Sequence, residues 1–150
     1  MLPGDLEIST DRARIDVDLV HNFLNTSYWA QGRSRELVER SIANSICFGA
    51  YTSGHQVAFG RVVTDRAVFA YLADVFVVPA FRGRGIAKAL VRVILDHPDV
   101  TGLKMVLLRT RDAHGLYARF GFGPLPDSGE MMGRFHPAAV GPAQAAPLSR

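Results

Sequence analysis

The sequence predicts one domain of the mixed α/β (α+β) class, with a central, mixed and mostly antiparallel sheet flanked by helices. Helical and β-strand periodicities alternate along the chain. Of its 150 residues, 48% are hydrophobic and 21% charged, which is enough apolar surface for one core. We assign residues 1–136 to this domain. We expect residues 137–150, rich in Ala and Pro and without periodicity, to form a mobile tail.

Two amphipathic helices are predicted to precede most of the strands. A short strand is expected at 6–9, before Asp16, which would cap a helix ending at Asn25. Ser34 would cap the second helix. One stripe of this helix is shared by Leu37, Val38, Ser41, Ile42 and Ser45.

Three antiparallel strands are predicted next, at 46–51, 56–63 and 68–78. A tight turn over 52–55 would join the first two. The third run is β-branched and aromatic with little polar alternation. This pattern predicts a strand that is buried on both faces at the centre of the sheet and ends before Pro79.

The last part of the chain alternates helix and strand. An amphipathic helix is predicted at 85–97, followed by a buried strand at 103–108. A short helix over 113–120 would end at Gly121, the usual C-terminal residue. A final edge strand is expected at 130–134.

The basic residues are concentrated in one segment. The chain has a formal net charge of +3, and the stretch 81–95 carries Arg82, Arg84, Lys88 and Arg92 without an acid. Because this cluster is confined to one loop and helix, it favours an anionic ligand of limited size over a nucleic acid. A solvated basic face is the alternative.

Composition also limits location and metal chemistry. No segment reaches the roughly 20 consecutive apolar residues of a membrane-spanning helix, and the N-terminus lacks the features of a secretory signal. Cys47 is the only cysteine and cannot form an internal disulfide, which fits a reducing cytoplasm. One cysteine and scattered histidines supply no metal-ligand spacing. We therefore expect a cytoplasmic protein with no metal and no membrane partner.

The segment 77–87 predicts a phosphate-binding turn, because a buried strand, a glycine-rich turn and a helix follow one another. Backbone amides and the positive end of the helix dipole would face the ligand. Arg82 and Arg84 would add charge-assisted bonds. Neither the P-loop nor the dinucleotide fingerprint fits, since Lys88 stands where the last glycine of the latter belongs. A connector with exposed arginines is the alternative.

Two motifs resemble the GCN5-related N-acetyltransferase (GNAT) superfamily. Arg82-Gly83-Arg84-Gly85-Ile86-Ala87 matches its acetyl-CoA loop: Arg or Gln, two residues, Gly, one residue, then Gly or Ala. Leu116-Tyr117, followed by Gly121-Phe122, is similar to its second signature. The resemblance covers roughly residues 5–135. It implies the GNAT fold, with a sheet splayed between the fourth and fifth strands.

The resemblance also implies that acetyl-CoA binds as a cosubstrate. Amides of the loop and first helical turn would bind the pyrophosphate, and the end of the central strand would bind pantetheine. The implied contacts are Arg82, Gly83, Arg84, Gly85, Ile86 and Ala87 in the loop, Phe76, Val77 and Val78 in the strand, and Thr110 and Phe120 further along. Thr110 stands where many members have Asn, and its reach is shorter.

Two residues are catalytic candidates. The resemblance assigns Tyr117 as proton donor to the CoA thiolate, since a phenol with an unperturbed pKa of about 10 stays protonated at neutral pH. A packed tyrosine is the alternative. Asp74, the only charge in 68–78, is the candidate for accepting the amine proton or holding the ammonium group. A water chain as base, or a structural Asp bonded to loop amides, remains open.

The acceptor would meet aromatic side chains. Tyr28, Trp29 and Tyr71 would form walls for a small apolar or cationic amine, with core packing as the alternative. We predict direct acetyl transfer to a small molecule, amino acid or peptide N-terminus in a ternary complex, because no cysteine lies in either motif. A non-catalytic CoA-binding sensor or interaction module is the other candidate. The resemblance leaves a homodimer open.

Overall fold

A computed structural model describes residues 1–137, and the chain divides into two units, Met1–Leu116 and Tyr117–Arg150. The first unit contains a five-stranded sheet in the order β1-β2-β3-β4-β5. Neighbouring strands are antiparallel, except that β4 and β5 are parallel. This confirms the predicted sheet. The strands are β1 (Glu7–Ser9), β2 (Ile46–Thr52), β3 (His55–Thr64), β4 (Phe69–Val77) and β5 (Met105–Leu108).

The helices begin where the sequence predicts them. They are α1 (Val17–Thr26), α2 (Arg35–Ala43), α3 (Ile86–Asp96) and α4 (His114–Ala118). Asp16 caps α1 by accepting a hydrogen bond from the Leu19 N–H at 3.0 Å. Ser34 caps α2 in the same way, with the Leu37 N–H at 3.2 Å. Each cap satisfies an amide that has no partner within its helix.

The sheet carries helices on both faces. Phe59 on β3 belongs to a buried cluster with Val20 and Leu24 of α1 and Val38 of α2. The next residue, Gly60, faces the other way, because successive side chains of a strand alternate. A Cβ at Gly60 would lie 3.1 Å from the Ile94 side chain of α3. The buried side chains of α3 are Ile86, Leu90, Val91 and Ile94.

Strand β4 is not buried on both faces, so that prediction is wrong. Ala70 and Leu72 are buried, but Tyr71 between them is 36% exposed and Phe69 is half-buried. The apolar composition of the run hides this alternation, since the open positions are aromatic rather than polar. Burial on both faces requires covering layers, which a strand's own composition does not specify.

The splay between β4 and β5 begins after Leu72. β5 pairs with β4 only from Phe69 to Leu72, and 73–77 extends beyond the end of β5 with no strand partner on that side among the described residues. The β3–β4 register shifts at the same level, where two β4 residues stand opposite Gly60. One of the two is Asp74, whose φ of 54° places it in the left-handed region. β4 therefore carries a bulge at the level where β5 ends.

The second unit starts with the end of α4. Gly121, with a φ of 89°, donates to the Ala118 carbonyl, so the predicted C-terminal role of this glycine is confirmed. A 3₁₀ helix follows at Ser128–Glu130. The prediction of a strand at 130–134 is wrong, because no strand forms there. The tail predicted at 137–150 lies, from residue 138 onward, outside the described residues. That tail and the single-domain assignment of 1–136 stay predictions.

Candidate active site

The glycine-rich loop presents backbone donors at the start of α3. Gly83 and Gly85 have φ values of 77° and 82°, which only glycine adopts without strain. Gly85 is the N-cap residue, and no side chain caps the helix. The first bond of α3 runs from the Ala89 N–H to the Gly85 carbonyl, so the amides of Ile86, Ala87 and Lys88 have no partner within the helix. An anion suits this arrangement of donors.

The same loop carries two arginines. Arg82 and Arg84 are both exposed, and the Arg84 guanidinium lies 4.9 Å from the Phe81 ring centroid. Arg82 reaches back to the strand, where its Nε donates to the Val77 carbonyl at 3.0 Å. A Cβ at Gly83 would meet nothing within 4 Å, so there is open space above the loop. The residues present fit a pyrophosphate.

The backbone at the end of β4 has one open side. The Val78 N–H donates to the Val57 carbonyl of β3 at 2.9 Å. Because backbone groups of successive strand residues point to opposite sides, those of Val77 point away from β3, where β5 has already ended. Phe76 pairs with Phe59 and is buried. The strand thus offers main-chain groups to an extended ligand, and Arg82 occupies one of them.

Asp74 is the centre of a buried ion-pair network. Its Oδ2 accepts from Arg61 Nε at 2.6 Å and from an Arg33 terminal nitrogen at 2.8 Å. Its Oδ1 accepts from Trp29 Nε1 at 2.9 Å. Burial alone would raise the pKa of Asp74, but Arg61, Arg33 and Trp29 outweigh it and hold that pKa below the usual range. The carboxylate joins β3, β4 and the α1–α2 link.

These contacts favour a structural role for Asp74 over that of a general base. A carboxylate with a lowered pKa binds a proton weakly, and three donors already occupy its oxygens. Its partners are two arginines and a tryptophan rather than loop amides. Sequence reasoning missed Arg33 and Arg61. The available signal was the buried acid itself, which requires cationic partners without indicating which ones.

An aromatic wall stands beside this network. Tyr28 and Trp29 are 45% and 40% exposed, with ring centroids 5.1 Å apart in an edge arrangement. The Arg111 guanidinium lies 3.7 Å from the Tyr28 ring centroid, and the Arg111 N–H donates to the Tyr28 hydroxyl at 3.0 Å. We call Tyr28, Trp29 and Arg111 the acceptor wall. Tyr71 has no ring contact with Tyr28 or Trp29 and pairs with Val63 instead.

Three further candidates lie after β5. The Thr110 hydroxyl accepts from the Ala113 N–H at 2.9 Å, next to the start of α4. Tyr117 and Phe120 belong to the second unit. Tyr117 is buried, and its ring meets Phe122 edge-on at 5.8 Å. Phe120 is half-buried and donates its N–H to the Tyr117 carbonyl.

The described residues contain neither a metal-binding group nor a membrane-spanning helix. Within 1–137, no three His, Cys, Asp or Glu side chains form a group able to hold a metal ion. No helix in the same range has the length and apolarity needed to cross a membrane.

Comparisons with known proteins agree on one family. The profile of the acetyltransferase (GNAT) domain matches residues 43–124. The crystal structure of a GNAT-family protein from Xanthomonas campestris is 46% identical, with a TM-score of 0.87, and the match covers 91% of this chain and 96% of that one. A Gibberella zeae protein whose name assigns it to the acetyltransferases is 27% identical in an alignment of 137 residues, with a stated coverage of 77% for each chain.

A more distant likeness extends to the fold alone. A Clostridium acetobutylicum protein, crystallised with acetyl-CoA, is 15% identical with a TM-score of 0.63. This match covers 87% of the present chain and 96% of that one.

Proposed function

This chain belongs to the GNAT acetyltransferase family, and we propose that it transfers the acetyl group of acetyl-CoA to a primary amine. The acceptor would be a small molecule, an amino acid or a peptide N-terminus. The amine nitrogen attacks the thioester carbonyl carbon, a C–N bond forms and the C–S bond breaks. The amine loses one proton and the CoA sulfur gains one. The observation that carries the proposal is the donor-rich loop beside the end of β4, where β4 extends beyond the end of β5.

We place the pyrophosphate of acetyl-CoA on residues 82–87. The amides of Ile86 and Ala87 have no partner within the helix, and the α3 dipole adds positive potential. Arg82 and Arg84 supply the charge-assisted bonds. This assignment is supported by the positive φ of both loop glycines, which is needed to turn consecutive amides toward one ligand.

We place pantetheine along Phe76, Val77 and Val78. The Val77 carbonyl would accept a pantetheine amide N–H once the Arg82 side chain turns from it to the phosphates. From the family resemblance, we also assign Thr110 and Phe120 to acetyl-CoA binding. The Thr110 hydroxyl oxygen already accepts from Ala113, and its O–H can still act as a donor.

Tyr117 is the proposed proton donor to the departing thiolate. Two points support this role: Tyr117 occupies the tyrosine position of the family signature, and a phenol keeps its proton at neutral pH. For the amine proton we propose water as the acceptor. Asp74 then acts as a positioning residue that holds Trp29 and Arg33, since its lowered pKa makes it a weak base.

Thiol release from acetyl-CoA over a panel of amines, amino acids and peptides tests this function, using wild type and Tyr117→Phe. Loss of a general acid should lower kcat by about 10²–10⁴-fold. Calorimetry should show unchanged acetyl-CoA affinity in the variant, which separates catalysis from binding.

Two other outcomes of these experiments would contradict the proposed function. Binding without turnover would favour the CoA-binding sensor, and absence of binding would overturn the acetyl-CoA assignment. A cytoplasmic location and a homodimer stay predictions.

A further inference from the structure

Arg111 is held in place by two contacts with Tyr28. The Arg111 backbone N–H donates to the Tyr28 hydroxyl at 3.0 Å, and the Arg111 guanidinium lies 3.7 Å from the centroid of the same ring. Tyr28 contacts Trp29, which donates to the buried Asp74. The guanidinium is thus tied to the buried network through two aromatic rings. A fixed cation binds a ligand with less loss of side-chain entropy than a mobile one.

The charge of Arg111 is not compensated by an acid. Unlike Arg33 and Arg61, which both bind Asp74, Arg111 forms no salt bridge with any residue in 1–137. The neighbouring Asp112 is exposed and is not paired with it. The guanidinium carbon lies over the Tyr28 ring, and no salt bridge within 1–137 uses its N–H donors, which can bind a carboxylate or phosphate.

The surroundings of the acceptor wall carry an excess of positive charge. In the buried network, Arg33 and Arg61 contribute two positive charges against one negative charge from Asp74. Arg111 adds a third cation. Such surroundings disfavour a second cationic group on the acceptor and favour an anionic one. They also lower the pKa of a bound ammonium, which increases the fraction of neutral amine that can attack.

We infer that the acceptor is a primary amine that also carries an anionic group, a carboxylate or a phosphate, and that Arg111 binds this anion. The inference rests on the proposed acetyl transfer and specifies its acceptor. From the aromatic residues alone, the expected acceptor was an apolar or cationic amine. The anionic acceptor replaces that expectation, because the structure places Arg111 beside Tyr28 and no pattern in the sequence connects the two residues.

The test compares matched acceptors that differ in one anionic group. α-Amino acids are paired with their amides, and phosphoethanolamine is paired with ethanolamine. kcat/KM is measured with saturating acetyl-CoA and corrected for the fraction of neutral amine. We expect the anionic member of at least one pair to be preferred by about tenfold or more, the effect of one charge-assisted hydrogen bond. The pair that shows the preference identifies the anion.

Variants assign the preference to Arg111. Arg111→Gln should abolish it through a raised KM for the anionic acceptor, so that the kcat/KM values of the anionic and neutral members of the pair become equal. Arg109→Gln removes another exposed arginine of the same segment and should retain the preference. Tyr28→Phe keeps the ring but removes the oxygen that holds the Arg111 N–H, so it should weaken the preference in part.

Trp29 provides a readout that needs no turnover, because it is the single tryptophan of the chain. Titrating CoA-loaded protein with the preferred acceptor should change its emission in wild type and Arg109→Gln, and far less in Arg111→Gln. Equal melting temperatures and equal acetyl-CoA affinities exclude a folding defect.

Two results would count against the inference in different ways. Equal kcat/KM for anionic and neutral acceptors, or equal losses in Arg111→Gln and Arg109→Gln, would overturn it and leave acetyl transfer standing. Absence of turnover on every acceptor, with acetyl-CoA bound, would overturn the proposed function and this inference with it.

Discussion

The proposed acetyl-CoA loop and the proposed acceptor wall are built in opposite ways. The loop offers the backbone amides of three consecutive residues, 86–88, and has two glycines with positive φ. The wall uses side chains, and the contact between Tyr28 and Arg111 joins positions 83 residues apart. A site made of backbone depends on conformation, whereas a site made of side chains depends on each group and on the partners that orient it. The two regions should therefore respond to different kinds of substitution.

Removing the carboxylate behind the wall should have the largest effect. Asp74→Ala leaves Arg33 and Arg61 without their buried partner, and breaking such a network costs about 3–5 kcal/mol. We expect a loss of that size in the free energy of unfolding, measured by urea denaturation. Emission from Trp29 should shift as well, because its indole N–H loses its acceptor.

The matched control is Asp18→Ala, which removes an exposed carboxylate that binds Arg35. Its effect should be far smaller, since solvent screens exposed pairs. Equal losses in the two variants would contradict a dominant role for the buried network.

Changing the loop conformation should have a smaller effect, confined to the donor side. Gly85→Ala places a side chain at a φ of 82°, where a Cβ has room but the backbone is strained by about 1–2 kcal/mol. If the free loop relaxes to relieve this strain, its amides turn away from the ligand and binding must restore the strained conformation. We therefore expect acetyl-CoA to bind about tenfold more weakly by calorimetry, with an unchanged preference among acceptors.

Gly4→Ala is the control for this change. A Cβ at Gly4 would meet nothing within 4 Å, and Gly4 lies outside the left-handed region. An altered acceptor preference in Gly85→Ala would show that the two regions are not independent.

The pH dependence of stability should show the smallest effect. Folding lowers the pKa of Asp74 below its ordinary value of 3.8, so the folded protein binds this proton less tightly than the unfolded chain. The contribution of Asp74 to the free energy of unfolding is therefore complete above about pH 4–5 and is lost as the pH falls through the lowered pKa. The difference in free energy of unfolding between wild type and Asp74→Asn should be constant near neutrality and should decrease below pH 3.8. A difference that already decreases at pH 6 would indicate a raised pKa of Asp74.

The predictions from sequence succeeded where a feature depends on neighbouring residues. The caps at Asp16 and Ser34 were predicted because an N-cap needs only a short polar side chain and the amide three positions on. The prediction of a strand at 130–134 was wrong because an edge strand forms only if another strand pairs with it. The prediction that β4 is buried on both faces was wrong for a related reason, since the layers that cover a strand come from elsewhere in the chain.

The sequence by itself determined the glycine-rich turn between β4 and α3, because its glycines and arginines are contiguous and its backbone donors follow from the start of a helix. It also determined the family, through two short motifs in the expected order. Only the tertiary structure decided the partners of Asp74 and the position of Arg111. A bulge at Asp74 interrupts the β3–β4 register, and the carboxylate meets Arg33, Arg61 and Trp29 there. Long-range side-chain contacts of this kind depend on how strands and loops pack, and no local pattern encodes that packing.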